Sequence, residues 1–265
     1  MSEEFTLDML DIPSGWRRGE GDWTGVAAAL AKGETVEVIQ EVGSTLWRNS
    51  LPEKHSLYWE GENLSTIKAR IWISFTQRRF SPESALPKVQ WHPRVLWIGI
   101  GCERYTAREL IETAIQNVCR ANHLASSAIA GIATIDTKAG EVGLLELCQE
   151  RNWPLKTFAA DILSSVEVPN PSNVAAKKVG TPSVAEAAAL CAIEEILTAH
   201  QHKETQISIN HLRLSAFICG SHPLLVPKKI FRSQNPPALQ GGVRGGSAVT
   251  VAVAVSQIEY LEYLG

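Results

Sequence analysis

The sequence predicts an α/β protein in which a small α/β domain is followed by a larger α/β domain with a mixed sheet. Segments typical of strands alternate with segments typical of helices along the chain. A stretch with three prolines and little periodicity separates two parts, and 265 residues are enough for each part to bury a core. The expected division is a tail over 1–20, a first domain over 21–76, a linker over 77–93 and a second domain over 94–265.

The first domain is expected to contain one short helix and two strands. Residues 22–33 indicate the helix, because Asp22 can cap its start and Gly33 can end it in the left-handed conformation. Alternating apolar residues predict a strand over 34–40, and an apolar stretch predicts a second strand over 69–75. Residues 44–65 between them are expected to be irregular.

The second domain is expected to begin with a buried strand over 95–101 that runs into a glycine turn. Thr106 and Glu109 have the spacing of a capping box, in which Thr106 bonds to a backbone N–H and Glu109 reaches back. They predict a helix that continues to Asn122. Ser183 and Glu186 form a second such pair and predict an alanine-rich helix to about His200.

The remaining elements of the second domain follow the same alternation. A proline-rich loop is expected over 168–172. The other predicted elements are strands over 128–135, 155–158, 207–209, 214–218 and 248–255, and a helix over 142–151.

Composition excludes several classes of protein. The net charge of −3 provides no global basic field for nucleic acid or an anionic membrane surface. The acidic start Met1–Phe5 lacks the pattern of a signal peptide, and the apolar run Ala248–Val255 is too short to span a bilayer. Five cysteines without a CxxC pair indicate reduced thiols. The sequence therefore predicts a cytoplasmic protein.

Gly99 and Gly101 start like a dinucleotide-binding fingerprint, but Arg104 stands where the third glycine belongs. This departure, and the absence of a Walker lysine, count against an NAD- or ATP-dependent enzyme. The helix start near Thr106, with Arg104 beside it, is instead a candidate site for a carboxylate or phosphate. Cys102 is either an activated thiol or, as we consider more credible, a small residue packed in a tight turn.

Three polar side chains end the strand over 128–135 and supply candidate site residues. Thr134 and Lys138 are candidate substrate-binding groups, since a lysine can neutralise a carboxylate. Asp136 can orient a substrate or act as a base. The alternative is a helix cap followed by a solvated lysine, and the residues alone do not choose between the two.

Residues 180–189 combine a glycine, hydroxyls and a carboxyl at a helix start. Thr181 and Ser183 are candidate anion ligands beside unpaired backbone donors. Glu186 is a candidate general base, but its place in the capping box favours a structural role.

Cations and glycines occur near the C-terminus, in Val226–Lys229 and in Gly241–Ser247, which includes Arg244. The spacing is not that of a P-loop, and a mobile surface loop is the favoured interpretation of both segments. His200 with His202, or Cys219 with His222, lacks a second pair of metal ligands, so we predict no metal site.

Five segments together resemble one known family: Gly99–Arg104, Ala133–Lys138, Glu141–Leu147, Pro169–Ser172 and Val179–Leu190. In this order and spacing they closely resemble the C-terminal domain shared by CbiG proteins and the small protein CobE, over residues 94–255. Residues 23–75 more weakly resemble the CbiG central region. The resemblance implies a cobalamin-pathway protein whose second domain has the CobE/CbiG C-terminal fold.

The CbiG resemblance further implies hydrolysis of cobalt-precorrin-5A, with opening of a ring δ-lactone and release of acetaldehyde. Cobalt then belongs to the tetrapyrrole substrate, and no cofactor is expected. Many substrate carboxylates give Arg104, Lys138, Lys228 and Arg244 a shared role as anchors. The candidate substrate-binding residues are Gly101, Cys102, Arg104, Thr134, Lys138, Thr181, Ser183 and Arg244, and the candidate catalytic residues are Asp136 and Glu186.

Hydrolases of this family usually carry a further domain before the central region, whereas about twenty residues precede that region here. Three alternatives follow: a hydrolase that works without that domain, one half of a split enzyme, or a corrinoid-binding accessory protein of the CobE type. A separate CbiG N-terminal domain and a corrin-pathway methyltransferase are candidate partners. Residues 198–206 are expected to form a polar insertion, to which the sequence assigns no purpose.

Overall fold

A computed structural model describes residues 16–59, 66–81, 85–172, 180–203, 223–233 and 246–257. These residues fall into two compact units. The first unit takes in the described residues of 16–95 together with 123–128 and Gln257. The second takes in 96–122 and the described residues of 129–256. None of the helices in these ranges is long and apolar enough to cross a membrane.

The first unit is built on a five-stranded mixed sheet with the order β1-β5-β4-β2-β3. β1 is antiparallel to β5, and the other neighbouring strands are parallel. A 3-10 helix covers Leu46–Ser50. The elements are β1 (Arg17–Gly21), α1 (Trp23–Ala31), β2 (Val36–Gln40), β3 (Leu57–Trp59), β4 (Ala69–Ile73) and β5 (Lys88–His92).

Local sequence signals explain α1, β2 and β4. The Asp22 carboxylate accepts a hydrogen bond from the Gly25 N–H at 2.8 Å, and Gly33 ends the helix with φ +66°. Alternate residues of β2 and β4 are buried, such as Val38 and Ile71, in a core that includes tryptophans. The predicted helix and both predicted strands of this unit are confirmed.

Three strands of the first unit lie where the sequence indicated no regular structure. β1 begins in the predicted tail, β3 lies in the segment 44–65, and β5 lies in the predicted linker 77–93. The sequence did not indicate β5 as a strand, because its buried residues include the polar side chain of Gln90. That amide accepts from the Arg78 N–H at 2.8 Å and donates to the Arg78 carbonyl at 2.6 Å. The domain boundaries themselves stay a prediction.

His92 in β5 is fully buried and has one hydrogen-bond partner among the described residues. Its Nδ1 lies 2.7 Å from the Ser74 carbonyl oxygen, so Nδ1 carries the proton, and Nε2 has no partner. A Cβ added at Gly19 would lie 2.4 Å from this Nε2 atom, which shows how closely the backbone packs against the ring. Burial lowers the pKa of His92, and the bond to Ser74 opposes that shift.

We expect acid to destabilise the protein through His92. The unfolded chain takes up a proton as pH falls below about 6.5, whereas the folded chain resists it. Stability from this group is therefore present above that pH and decreases below it, by at most about 1.4 kcal/mol per pH unit. Urea unfolding at pH 7.5, 6.5 and 5.5 measures the effect. His92→Asn retains a donor near the Ser74 carbonyl without the titration, so its pH dependence should be flatter; equal pH dependence in both proteins would contradict the assignment.

The second unit contains a second five-stranded mixed sheet, with the order β8-β7-β6-β10-β9. β8, β7 and β6 are parallel, and β10 is antiparallel to both β6 and β9. The elements are β6 (Leu96–Cys102), α2 (Arg108–Ala121), β7 (Ile129–Ile135), α3 (Val142–Arg151), β8 (Leu155–Phe158), α4 (Ala160–Ser164), α5 (Val184–Lys203), β9 (Leu224–Arg232) and β10 (Ala248–Val255). The predicted α/β class with a mixed sheet is confirmed.

The two glycines of the Gly-x-Gly motif lie inside β6 rather than in a turn, which corrects the predicted glycine turn. Gly99 and Gly101 pair with Ala252 and Thr250 of β10. A Cβ at Gly99 would lie 1.8 Å from the Ala185 carbonyl oxygen in α5. The missing side chain at Gly99 therefore lets a helix approach the sheet closely.

Neither predicted capping box forms. α2 begins at Arg108 without a side-chain cap, because Thr106 lies before the helix and donates to the Glu103 carbonyl at 2.9 Å. At α5, the Ser183 hydroxyl has no partner among the described residues. The Glu186 carboxylate accepts from Asn170 and Lys228 instead of reaching back to Ser183.

The segment Val226–Lys229, for which a surface loop was an alternative, belongs to β9. β9 pairs with β10 alone in the described sheet, so it tolerates Pro227 and charged residues. Other predictions lie outside the described residues: the strands over 207–209 and 214–218, Cys219, Arg244, and the part of the 198–206 insertion beyond residue 203.

Candidate functional site

A cavity of about 320 Å³ lies in the second unit where two parallel strands end. β6 ends at Cys102 and β7 at Ile135, and the carboxyl ends of parallel strands are common ligand sites. The first turn of α5, β9 and the start of β10 complete the wall. The polar lining residues are Cys102, Glu103, Thr137, Lys138, Ser172, Ser183, Lys228 and Thr250. The apolar ones are Ile135, Val184, Ala185, Ile230, Ala248 and Val249.

Lys138 lines this cavity but already has a negative partner. Its ammonium lies 3.0 Å from the Glu141 carboxylate, and the two side chains are only 14% and 10% exposed. Glu141 also accepts a hydrogen bond from the Tyr105 backbone N–H. Lys138 is therefore not the solvated lysine of the alternative interpretation, and a substrate carboxylate would have to compete with Glu141 for its charge.

Cys102 lines the cavity as a protonated thiol. Burial raises its pKa to about 11; the Lys138 charge lowers it and the Glu141 charge raises it. At neutral pH almost none of this thiol is ionised, so it is not an activated nucleophile. This agrees with the interpretation of Cys102 as a small packed residue, although it ends strand β6 rather than lying in a turn.

Glu103 is a cavity residue that sequence reasoning did not select. Its carboxylate accepts from the Ser247 N–H at 2.7 Å, the Ser247 hydroxyl at 3.0 Å and the Ala248 N–H at 3.2 Å. The Ser247 N–H is the largest cause that lowers the pKa of this exposed carboxyl. Glu103 thereby joins the end of β6 to the segment that enters β10. Its position directly after a buried strand was the available signal.

The start of α5 contains three buried polar atoms without hydrogen-bond partners in the described residues. They are the hydroxyl oxygens of Thr181 and Ser183 and the Oε2 atom of Glu186. Ser183 lines the cavity, whereas Thr181 and Glu186 lie outside its lining. Glu186 Oε1 accepts from Asn170 Nδ2 at 2.8 Å and from the Lys228 N–H at 3.0 Å. This fully buried carboxyl thus joins three segments: the loop before α5, α5 itself and β9.

Lys228 lines the cavity from β9 and differs from Lys138 in its partners. Its ammonium donates to the Asn170 carbonyl oxygen, a neutral group. Within the described ranges no carboxylate lies within ion-pair distance of this ammonium. No described residue therefore neutralises the Lys228 charge, which can attract a negative group in the cavity.

The structure brings together five of the predicted site residues, namely Gly101, Cys102, Lys138, Ser183 and Lys228. Thr134 is buried, and its hydroxyl donates to the Ile100 carbonyl at 2.7 Å, which ties β7 to β6. Asp136 is exposed directly before the lining residue Thr137 and accepts from its N–H at 2.6 Å. Arg104 is exposed and not part of the lining. The roles assigned to these residues stay predictions.

In the described part of the chain, no group of three or more His, Cys, Asp or Glu side chains could hold a metal ion. The cavity lining combines cations, hydroxyls, a helix start and an apolar wall, which together favour a ligand with negative and apolar parts.

Comparison with known families matches both parts of the chain. Residues 96–254 match the family described as cobalamin synthesis G C-terminus. Residues 5–93 match the family described as cobalamin biosynthesis central region. The first match alone covers more than half of the chain.

Two curated relatives carry the name cobalt-precorrin-5A hydrolase. The one from Priestia megaterium is 27% identical over 181 residues, which are 66% of this chain and 48% of the relative. The one from Salmonella typhimurium (strain LT2) is 29% identical over 174 residues, which are 65% of this chain and 48% of the relative. The chain therefore spans about half the length of these two relatives.

Two solved structures are also similar. CobE, a protein of the cobalamin biosynthetic pathway, is 25% identical with a TM-score of 0.42, over 60% of this chain and 92% of CobE. A putative cobalamin biosynthesis protein G homolog from Sulfolobus solfataricus is 16% identical with a TM-score of 0.37, over 96% of this chain and 61% of the homolog.

Proposed function

Because the chain belongs to the cobalamin synthesis G family, we propose that it acts in cobalamin (vitamin B12) synthesis as a cobalt-precorrin-5A hydrolase. The observation that carries the proposal is the joint match of the central and C-terminal regions. The two relatives named cobalt-precorrin-5A hydrolase support it. The cavity at the ends of β6 and β7 is the proposed place of binding.

The proposed reaction has two steps. A base removes a proton from water, the resulting hydroxide attacks the carbonyl carbon of the ring δ-lactone, and the acyl C–O bond breaks to give a carboxylate and an alcohol. A base then takes the alcohol proton as the adjacent C–C bond breaks. The electron pair of this C–C bond passes to the macrocycle, and the two-carbon fragment leaves as acetaldehyde. Cobalt enters as part of the substrate, so the proposal needs no resident cofactor.

Two carboxyl groups are candidates for the base. Asp136 is supported by its exposure directly before the lining residue Thr137. Glu186 is supported by its Oε2 atom, which has no partner among the described residues, but its full burial outside the lining weighs against direct contact with substrate. For the substrate carboxylates, Lys228 is the stronger proposed anchor and Lys138 the weaker one, because Glu141 pairs with Lys138.

The size of the cavity limits how much of the substrate it can enclose. At about 320 Å³ it is near the lower end of the range for small-molecule sites. We therefore propose that one edge of the tetrapyrrole enters, with its acidic side chains, while the rest of the macrocycle lies outside this cavity.

An accessory role without turnover is the second candidate function. A corrinoid-binding accessory protein of the CobE type and one half of a split enzyme are the two forms of this proposal. In the split-enzyme form, a separate CbiG N-terminal domain would be the partner. A corrin-pathway methyltransferase is a further proposed partner for delivery or removal of the tetrapyrrole.

Incubation of the purified chain with cobalt-precorrin-5A tests the hydrolase proposal. We expect acetaldehyde at a rate proportional to protein concentration, together with a change in the absorption spectrum of the pigment. Asp136→Asn should lower that rate by about a hundredfold or more if Asp136 is the base. Binding without acetaldehyde would favour the accessory or half-enzyme role, and absence of both would contradict the proposed function.

A further inference from the structure

We propose that Ser183, the first turn of α5 and Lys228 form a carboxylate-binding subsite within the cavity. The inference deepens the proposed function, on which its choice of ligand rests. The occupant is a carboxylate carried on a short alkyl arm of a tetrapyrrole. The subsite would fix which edge of the macrocycle enters the cavity.

The start of α5 supplies hydrogen-bond donors that lack acceptors. Ser183 is 3% exposed and lines the cavity, and its hydroxyl has no partner among the described residues. The helix bond from the Ala187 N–H to the Ser183 carbonyl marks the first turn. By position, the N–H groups of Val184 and Ala185 before it have no intrahelical acceptor, and both residues line the cavity. Such donors bind an anion well.

Lys228 supplies the matching charge. Its ammonium reaches only the neutral Asn170 carbonyl among the described residues, and its own N–H is held by Glu186, which lies one turn into α5. The strand that carries the cation is therefore tied to the helix that carries the N–H donors. Lys138 does not offer an equal charge, because Glu141 lies 3.0 Å from it.

The apolar residues of the cavity favour a carboxylate with a hydrocarbon arm over a small inorganic anion. Val184, Val249 and Ile230 line the same space, and Ile230 is 58% exposed, which is unusual for a large apolar side chain. An acetate or propionate arm can cover these side chains while its carboxylate reaches the helix start. A free phosphate would leave them in water.

Calorimetric titration with two corrinoid probes tests the subsite without depending on turnover. The probes are cobyrinic acid, a corrin heptacarboxylate, and its heptamethyl ester, which has the same macrocycle without the charges. We expect the acid to bind the wild-type chain at least about tenfold more tightly than the ester. Equal affinity for the two probes, or no binding of either, would overturn the proposal.

Two adjacent lysines give matched variants. Lys228→Met should weaken binding of the acid by about tenfold or more, because it removes a charge-assisted hydrogen bond. Lys229→Met removes the same charge from the same strand, but Lys229 is exposed and outside the lining, so affinity should not change. Ser183→Ala should weaken binding by about three- to tenfold. Equal effects of the two lysine changes would contradict the subsite.

The binding experiments test the subsite independently of the acetaldehyde assay that tests the hydrolase proposal. Suppose that the wild-type chain releases acetaldehyde and that Lys228→Met binds the acid as tightly as the wild type. The hydrolase proposal would then stand, and the subsite would be wrong. Suppose instead that the chain prefers the acid to the ester, that Lys228→Met weakens this binding, and that no acetaldehyde is released. These results would support the subsite and favour the accessory role. Thermal unfolding of each variant checks that the loss of binding is not a loss of fold.

Discussion

Replacing Gly99 by alanine is expected to lower the free energy of unfolding by about 3 kcal/mol or more, or to prevent folding of the second unit. The added Cβ would lie 1.8 Å from the Ala185 carbonyl oxygen and 3.0 Å from the Ala189 Cβ. The first of these is backbone and cannot rotate away. β6 pairs with β7 and β10 on its two sides, so neither the strand nor the helix can shift without the loss of other contacts.

Gly140→Ala provides the matched control. A Cβ at Gly140 meets no heavy atom within 4 Å, so this change should leave stability within about 0.5 kcal/mol of the wild type. Urea unfolding followed by circular dichroism compares the two variants. If Gly99→Ala were as stable as Gly140→Ala, this result would contradict the close approach of α5 to β6 at Gly99.

The Gly99 experiment also bears on the cavity. α5 brings Ser183, Val184 and Ala185 to the lining, and β6 brings Gly101 and Cys102. A variant that folds with α5 displaced from β6 should therefore bind a corrin heptacarboxylate weakly, even though no lining residue has changed.

Elements with strong local signals could be predicted closely from the sequence. The bounds of α3, β8 and β10 agree with the predictions, and α5 agrees at its start. The buried residues of α3 recur at helical spacing, and β10 is a nearly continuous apolar run typical of a buried strand. Such patterns depend on nearby residues alone. The parallel order of β6 and β7, which the sequence did not predict, then places Cys102 and Lys138 at one edge of the sheet.

Elements stabilised by distant contacts could not be predicted in this way. β9 contains Pro227 and two lysines, which locally favour a loop, but pairing with β10 makes it a strand. β5 buries Gln90, whose amide bonds to the Arg78 backbone, and His92, whose Nδ1 donates to the Ser74 carbonyl. No pattern within either segment contains this information.

The same distinction applies to the candidate site. The pairing of Lys138 with Glu141 is local, and a spacing of three residues allows it in a helical turn. The hydrogen bonds from Ser247 to Glu103 join residues 144 positions apart in the sequence. The bond from the Lys228 N–H to Glu186 joins residues 42 positions apart. A capping box was the natural local interpretation of Glu186 and is wrong, because two distant donors compete successfully for its carboxylate.

Glu186→Ala is expected to produce the second large effect, a loss of about 2 kcal/mol of folding stability together with weaker ligand binding. Removal of the carboxyl leaves the half-buried Lys228 N–H without an acceptor, which costs about 1–3 kcal/mol. The Asn170 amide also loses its acceptor, but Asn170 is exposed and that amide can bond to water instead. The loop before α5 and strand β9 would also lose their bonds to α5. We therefore expect the Lys228 ammonium to lose its position and the affinity for a corrin heptacarboxylate to fall by about tenfold.

Glu186→Gln separates the structural role of this residue from proton transfer. The amide oxygen can still accept from both donors, so unfolding and ligand affinity should stay close to those of the wild type. If Glu186 only positions Lys228, acetaldehyde release should survive in this variant, with its pH profile unchanged. A loss of release by a hundredfold or more, at normal stability and affinity, would instead identify Glu186 as the base and remove that role from Asp136. Because the carboxyl is fully buried and already accepts two hydrogen bonds, the positioning role is the outcome that we expect.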